Sequence, residues 1–139
     1  MWKFEYFIET TASPSDIWKI WVDVENWNKW ISSVEHSTLD GNFENGTFGT
    51  TKGTNGPKSK FCLKDVVENK SFRFKTKLPL CTSEGVHEII NENNALKIKL
   101  GIDMYGPLTF IFKRIASKEA TESIPIAAKK LVELAEKGN

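Results

Sequence analysis

The chain has few cysteines and histidines and no long apolar run, and each of these shortages excludes a class of protein. Its 139 residues include two Cys and two His. Neither Cys62 nor Cys81 has a second Cys or a His at the spacing of a metal site, so we expect free, buried thiols in a reducing compartment and no metal. No stretch approaches the roughly 20 apolar residues of a membrane-spanning helix. The opening run MWKFEYFIE mixes charged and apolar residues, unlike a signal peptide. We therefore expect a cytoplasmic protein without an integral membrane segment.

An excess of charge of either sign is also missing. Lys and Arg number 19 against 18 Asp and Glu, which gives a formal net charge of +1. So small a net charge argues against a dedicated binder of nucleic acid or of an anionic membrane. The stretch 52–60 does contain Lys52, Lys58 and Lys60 and no acid. This pattern is typical of a solvated hairpin, and contact with an anionic partner is the alternative.

Aromatic residues, in contrast, are plentiful. The chain has five Trp, nine Phe and two Tyr, and 40% of its residues are hydrophobic. A chain of this length and composition is typical of one globular domain, here residues 1–139. The aromatic side chains are enough for a large core or for an aromatic-lined pocket.

The first third of the chain predicts one strand and two short helices. Residues 2–10 alternate between apolar and charged side chains, as in a half-buried strand. Ser13 and Pro14 suit the N-cap and the first position of a helix. A second short helical piece is predicted from about Val24 to Trp30, with two tryptophans three residues apart on one side.

The middle of the chain predicts an antiparallel meander. Apolar and polar residues alternate there, and the breaks between runs contain Gly, Pro, Asn and Asp. Short breaks favour antiparallel neighbours. The predicted inner face is apolar and the outer face solvated. Strands are predicted near 33–39, 47–54, 58–68, 71–78, 82–92 and 95–104.

The last stretch, 106–137, has apolar residues at helical spacing and predicts a long helix. Gly138 suits its end. Pro125 lies inside this helix, where proline removes one hydrogen bond and clashes with a carbonyl. We therefore predict two segments that meet at a kink, with 107–115 over a cavity and 126–137 clamped on the sheet.

The run ASPSDIWKIWVDVENWNKW, residues 12–30, resembles the N-terminal signature of START-related (SRPBCC) proteins, in the polyketide cyclase/dehydrase-like branch. The matching features are Ser13-Pro14, Trp18, Asp23, Trp27 and Trp30. Towards the other end, Gly106-Pro107-Leu108, Pro125, Leu131 and Leu134 are similar to the final strand-to-helix region of that family. The resemblance implies an α+β helix-grip fold: a seven-stranded curved antiparallel sheet around a long C-terminal helix, with two short helices after strand 1.

A cavity between sheet and helix is the candidate site that follows from this fold and from the inward faces of the strands. A solid core filled by the same aromatic side chains is the alternative. Trp30 is expected either at the mouth of the cavity or, as the alternative, in a purely structural position. The residues expected to line the cavity are Tyr6, Trp30, Phe61, Leu63, Phe74, His87, Ile89, Ile98, Leu100, Met104 and Phe112.

His87 is the polar candidate in this cavity. We place it on the inner face because the other face of its strand holds two carboxylates, Glu84 and Glu88. It would bind a ligand by a hydrogen bond or move a proton. A histidine satisfied by a backbone carbonyl is the structural alternative. No Ser/His/Asp or Cys/His arrangement can be read from the spacing, so no catalytic residue beyond His87 is proposed.

Three functions are compatible with the family that the chain resembles, which contains carriers of hydrophobic ligands, cyclases and chaperone co-activators. Binding of a hydrophobic or amphipathic small molecule in the cavity is favoured, with no cofactor and no nucleic-acid partner. The first alternative is a cyclase or dehydratase that uses polar cavity residues. The second is a protein-interaction module, which predicts a filled interior and an exposed apolar patch. The sequence does not determine the ligand or the oligomeric state.

Overall fold

The computed structural model describes residues 1–54, 56–93 and 95–137. Strand β1 (Trp2–Thr10) is followed by helix α1 (Pro14–Val22) and by a 3-10 helix (Val24–Lys29). Helix α2 (Thr109–Lys137) comes last. Between them lie β2 (Val34–Leu39), β3 (Phe48–Gly53), β4 (Lys58–Val67), β5 (Ser71–Leu78), β6 (Cys81–Glu92) and β7 (Ala95–Tyr105).

All seven strands form one antiparallel sheet in the order β1-β7-β6-β5-β4-β3-β2. Strands β2 to β7 follow one another as hairpins. Strand β1 returns to pair with β7, so that Trp2 lies opposite Met104 and Thr10 opposite Leu96. Helix α2 packs against this sheet and against α1. The predicted helix-grip architecture, a curved antiparallel sheet with a long helix, is confirmed.

Helix α1 begins where the sequence predicts it. Ser13 is the N-cap, and its side chain accepts a hydrogen bond from the backbone N–H of Asp16. The Asp16 carboxylate accepts in turn from the Ser13 backbone N–H, which completes a capping box. Such reciprocal bonds satisfy two N–H groups that a helix start otherwise leaves unpaired. The cap directs Ile17 and Trp21 into the core, where both are fully buried.

A β-bulge interrupts the alternation of β4. Period-two alternation along β4 predicts that Asp65 shares the inner face with Phe61 and Leu63. In the structure its φ is +51° and it is exposed, because the register with β5 shifts between Lys64 and Val67. Val66 packs against the core instead. A bulge reverses the face on which the following residues lie, and simple alternation does not reveal it.

Helix α2 is one continuous helix of 29 residues that runs through Pro125, in place of the two predicted segments. It begins at Thr109, because Gly106 has φ +118° and is therefore not helical. Its second half is packed as predicted, with Ala128 and Leu131 fully buried. Gly138, the predicted helix stop, lies outside the described residues.

The first half of α2 is oriented differently from the prediction. Ile111 and Ile115 belong to the apolar residues at helical spacing that predict an inner face for 107–115, but both are exposed. The packed second half of α2 determines which side of the helix faces the sheet. Leu131 and Ala120 are both buried on that side, because they are separated by about three helical turns. Ile111 precedes Ala120 by about two and a half turns and therefore lies on the opposite side of the helix.

The core beside α1 is built from aromatic rings. Trp27 is fully buried and stacks against Phe61 and Phe72, at ring-centroid distances of 5.5 and 6.2 Å. Its indole N–H donates to the carbonyl of Trp21 at 2.9 Å. The 3-10 helix is thereby fixed on the inner face of β4 and β5. Trp27 is thus a core residue, and the interior is filled at this side of α2.

Candidate ligand-binding site

A cavity of about 340 Å³ lies between α2 and the inner face of the sheet. Strands β5, β6 and β7 form its floor and α2 its roof. The roof carries small side chains where it crosses the sheet, at Ala116, Ala120 and Ala127. Because alanine side chains do not reach the sheet, helix and sheet leave a gap here that larger residues would fill.

The lining is mostly apolar, and it contains four of the eleven residues predicted to form the cavity. Gly85 and Ile102 of the floor and Ile124 of the roof border it as well. A period-two pattern identifies the residues that face inward, but it does not show which of them border an empty cavity and which are packed in the core. The predicted residues that line the cavity are Trp30, Phe74, His87 and Leu100.

The other predicted residues lie away from this cavity. Tyr6 packs against the core from β1, and Met104 is buried near the end of β7. Phe112 is half-buried on α2 and does not border the cavity. The remaining four belong to the packed core: Phe61, Leu63, Ile89 and Ile98.

The cavity-lining residues that the sequence did not predict mainly have small side chains. Ala116, Ala120, Ser123 and Ala127 share the inner face of α2, at spacings of three and four residues. This run of small residues on one helix face was the available signal. The small residues indicate a cavity only when the face of α2 that contacts the sheet is known. The exposed isoleucines Ile111 and Ile115 made a different face look like the buried one.

His87 faces inward from β6, as placed from the sequence. Only 7% of its surface is exposed. Its imidazole stacks on Phe72, with ring centroids 4.1 Å apart, and the ring of Trp21 meets it edge-on at 5.5 Å. Burial lowers the pKa of His87 to about 3, although the backbone of Gly85 and of Phe72 acts in the opposite direction. The imidazole is therefore neutral at physiological pH.

Buried polar atoms near the cavity have no hydrogen-bond partner among the described residues. They are Nδ1 of His87 and the indole nitrogens Nε1 of Trp21 and Trp30. Trp30 and His87 both line the cavity, and their rings lie 6.3 Å apart, edge to face. An unsatisfied buried polar group costs about 1 to 3 kcal/mol. A ligand with a suitably placed polar group would remove part of this cost.

The titratable groups at the cavity are few, although three serines, Ser33, Ser83 and Ser123, also line it. Two titratable side chains border it, His87 and Glu119, and Glu119 is exposed. A histidine whose pKa is about 3 is a weak base at neutral pH. Within 1–54, 56–93 and 95–137, no group of three or more His, Cys, Asp or Glu is placed to hold a metal ion.

The outer face of the sheet contains a buried charged network that was predicted to be solvated. Arg73 donates to Glu84 at 3.0 Å and to Asp103 at 2.9 Å. Lys64 and Tyr105 donate to the other oxygen of Glu84, at 3.1 and 2.5 Å. The bond to Glu84, together with burial, raises the pKa of Tyr105 to about 12. These groups satisfy one another, and we assign the network to stability.

The model of the family described as polyketide cyclase / dehydrase and lipid transport matches residues 1–132. The chain belongs to this family. Its membership confirms the resemblance read from residues 12–30. Comparison with curated proteins finds no match.

Solved structures show that the family's fold extends over the whole chain. Protein MLL2253 from Mesorhizobium loti is 14% identical, with a TM-score of 0.78 and 99% of each chain covered. The Zhui aromatase/cyclase from Streptomyces sp. R1128 is 9% identical, with a TM-score of 0.77, covering 98% of this chain and 94% of that one. Norcoclaurine synthase from Thalictrum flavum is 14% identical, with a TM-score of 0.72, covering 98% and 87%. At sequence identities as low as these, the likeness shows that the fold is shared and nothing further. No helix in the described part of the chain is long and apolar enough to cross a membrane.

Proposed function

We propose that this protein binds a hydrophobic or amphipathic small molecule in the cavity between the sheet and α2. The observation that carries the proposal is the combination of an apolar lining with two unpartnered polar groups, on Trp30 and His87. Apolar surface would supply the driving force, at roughly 25 cal/mol per Å² before the costs of association. The two polar groups would orient the molecule. The volume of about 340 Å³ is within the range of small-molecule sites.

The same groups limit the chemistry of the ligand. The indole N–H of Trp30 only donates, so it needs an acceptor oxygen such as a carbonyl or a hydroxyl. A neutral His87 offers no counter-charge to an anion. Burial of a charged group without a partner is costly. We therefore expect an apolar ligand with a neutral oxygen, bound in a reducing, cytoplasmic location consistent with the free thiols Cys62 and Cys81. Neither a cofactor nor a nucleic-acid partner is part of this proposal.

The enzymatic alternative has less support. The family description includes cyclases and dehydrases, and a proton-transfer step would use His87. That step needs a base whose pKa lies near the working pH and a second polar group close to it. The depressed pKa of His87 argues against the first requirement. For the second, the acid at the cavity, Glu119, is exposed, and the other polar side chains there include the hydroxyls of Ser33, Ser83 and Ser123. A protein-interaction module would have a filled interior, which the cavity argues against, and an exposed apolar patch, which is compatible with the exposure of Phe110 and Ile111.

The first experiment asks whether the cavity is used. Native mass spectrometry of the protein from cells, before and after organic extraction, would detect a bound small molecule. In parallel, the neutral fluorescent probe 1-aminoanthracene is titrated into the extracted protein. Replacement Ala120→Leu fills the cavity and should weaken probe binding at least about tenfold, since leucine occupies the space of the ligand. The matched variant Thr121→Leu, at an exposed position of the same helix, should bind as the native protein does. Equal binding by all three proteins would refute the proposal.

A second experiment tests the polar groups. Fluorene and fluorenone have nearly the same shape and differ by one carbonyl. The native protein should prefer fluorenone by about fivefold, which corresponds to about 1 kcal/mol for one hydrogen bond. Trp30→Phe keeps an aromatic ring but removes the N–H and should abolish the preference. Loss of binding to both compounds would instead indicate a role of Trp30 in packing.

A further inference from the structure

The small net charge of the protein conceals a strong separation of charge between its two ends. Three segments, 51–60, 75–83 and 104–118, contain seven Lys, one Arg and no Asp or Glu. At the other end of the sheet, the connections 40–46 and 88–95 contain acids and no Lys or Arg, and the β4–β5 turn contains both Glu68 and Lys70. The eight cations are Lys52, Lys58, Lys60, Lys75, Lys77, Lys113, Arg114 and Lys118.

Sheet topology brings these three segments together. The β3–β4 hairpin, the β5–β6 turn and the start of α2 all lie at the end of the sheet where β1 begins. Leu108 donates its backbone N–H to the carbonyl of Leu80 at 3.0 Å, which joins the β5–β6 turn to the start of α2. We call this end, formed by the described residues of the three segments and by Met1, the basic end.

Large apolar side chains protrude from the basic end. Leu80 is 67% exposed, Phe110 66% and Ile115 65%. Ile111 and Met1 are exposed as well. Lys113, Arg114 and Lys118 are interleaved with the apolar residues of α2. Apolar residues alone would favour another protein, but here they share a surface with a cluster of cations.

The cations of the basic end are largely free of acidic partners. Within the described ranges, an ion pair is formed by Lys52, with Glu35 at 2.9 Å, and by none of the other seven. Lys60 lies over the ring of Phe48, at 5.4 Å from its centroid. A free lysine or arginine can exchange its hydration for contact with a phosphate group without breaking a bond in the protein.

We propose that the basic end docks on an anionic lipid bilayer. Leu80, Phe110 and Ile111 enter the boundary between headgroups and acyl chains, and the surrounding cations contact lipid phosphates. Nucleic acid fits less well, because protruding aliphatic side chains do not stack on bases. The low net charge argues against membrane binding only when charge is spread evenly. This docking does not depend on the identity of the cavity ligand.

The experiment is flotation of the full chain with lipid vesicles. Vesicles of phosphatidylcholine alone are compared with vesicles that also contain phosphatidylglycerol. The native protein should float with the anionic vesicles, and added salt should weaken the binding. The double variant Lys113→Gln/Arg114→Gln should bind about 25-fold more weakly, at about fivefold per cation. Phe110→Ser/Ile111→Ser should bind at least about tenfold more weakly, since it removes the apolar contribution.

The control is Lys129→Gln/Lys130→Gln, which removes two exposed lysines from the same helix, away from the basic end. It should bind as the native protein does. All substituted side chains are exposed, and circular dichroism verifies folding. Failure of the native protein to float with anionic vesicles overturns the proposal. So does an equal loss in the control, or heparin binding with the same dependence on Phe110 and Ile111. The probe titration in the cavity is done without vesicles, so failure of docking and failure of ligand binding are distinguishable.

Discussion

The imidazole of His87 and the ring of Phe72 lie face to face, 4.1 Å apart and inclined by only 12°. The two residues are opposite neighbours on β6 and β5. Stacking of this kind holds the plane of the imidazole, while Trp21 and Trp30 meet it edge-on. His87 therefore behaves as an aromatic core residue that retains a nitrogen without a hydrogen bond. Its protonation would place a charge in an apolar interior.

The first prediction concerns the pH dependence of stability. The pKa of His87 is about 3 in the folded protein and about 6.5 in the unfolded chain, so the unfolded chain binds more protons between these values. The free energy of unfolding should be constant above about pH 6.5. It should fall by about 1.4 kcal/mol per pH unit as the pH decreases towards 3. Urea unfolding at several pH values measures this slope.

The matched variant is His87→Phe, which retains the stack on Phe72 but cannot be protonated. Between pH 6.5 and 5 its stability should be nearly constant, since carboxylates have not yet begun to bind protons. The difference between variant and native protein isolates the contribution of His87. A His87 imidazole that titrates near pH 6.5 by NMR would contradict the prediction.

The second prediction concerns Gly85 in the cavity floor. A Cβ atom at this position would lie 2.5 Å from Cζ of Phe74. The Phe74 ring packs on Trp27 and Phe61, at 5.6 Å from each, so a shift of the ring away from residue 85 would disturb these contacts. Gly85→Ala should therefore lower the free energy of unfolding by about 1 to 3 kcal/mol. Gly56→Ala, where an added Cβ meets nothing within 4 Å, is the control and should change little. The second-site change Phe74→Leu should recover part of the loss, and failure to do so would refute the steric explanation.

The third prediction concerns the network on the outer face. Glu84 and Asp103 lie opposite each other on β6 and β7, and Arg73 bonds to both. Arg73→Met leaves two buried carboxylates without this shared partner and should cost about 3 to 5 kcal/mol at pH 7. The cost should shrink in acid, because protonation of Glu84 removes the repulsion between the two side chains. Chemical unfolding at pH 7 and pH 4 measures both values. Lys75→Met changes the next outward residue of β5 and should cost far less, and a similar loss there would contradict the argument.

The fourth prediction concerns the two halves of α2. Pro125 has no N–H, so the carbonyl of Thr121 lacks its helical donor. The half before Pro125 exposes Ile111 and Ile115, whereas the half after it buries Leu131. Amides of 110–121 should therefore exchange with deuterium faster than those of 127–136. Pro125→Ala supplies the missing donor and should slow exchange around 121, stabilising the protein by up to about 3 kcal/mol. Ile126→Ala is the neighbouring control, and equally slow exchange in both halves of the native helix would contradict the prediction.

The strands and short helices could be predicted because their signals are local. Period-two alternation and turn residues located all seven strands within one or two residues at each end. The Ser13-Pro14 pair located the start of α1 for the same reason. The bulge at Asp65 could not be predicted, since the shift depends on how β4 and β5 pair across the sheet.

The cavity could be predicted only in part, because it depends on the relation between distant elements. Alternation shows that His87 faces inward, but the empty space beside it is set by Ala116 and Ala120 on α2. The charged network has the same origin, since Arg73, Glu84 and Asp103 meet only through strand register. The separation of charge between the ends likewise appears only when the loops are placed in space.

The pairing of β1 with β7 has a consequence for how the protein is made. The partner of Trp2 is Met104, so β1 leaves the ribosome long before the strand that it pairs with. During that interval the apolar face of β1, with Phe4 and Ile8, has no sheet to join. Pairing between such distant parts of a chain is slow, and waiting strands are prone to associate with other chains. We expect the nascent protein to depend on chaperones until β7 has emerged. A circular permutant in which β1 follows α2 through the joined termini should depend on them less, because β7 is then made before β1.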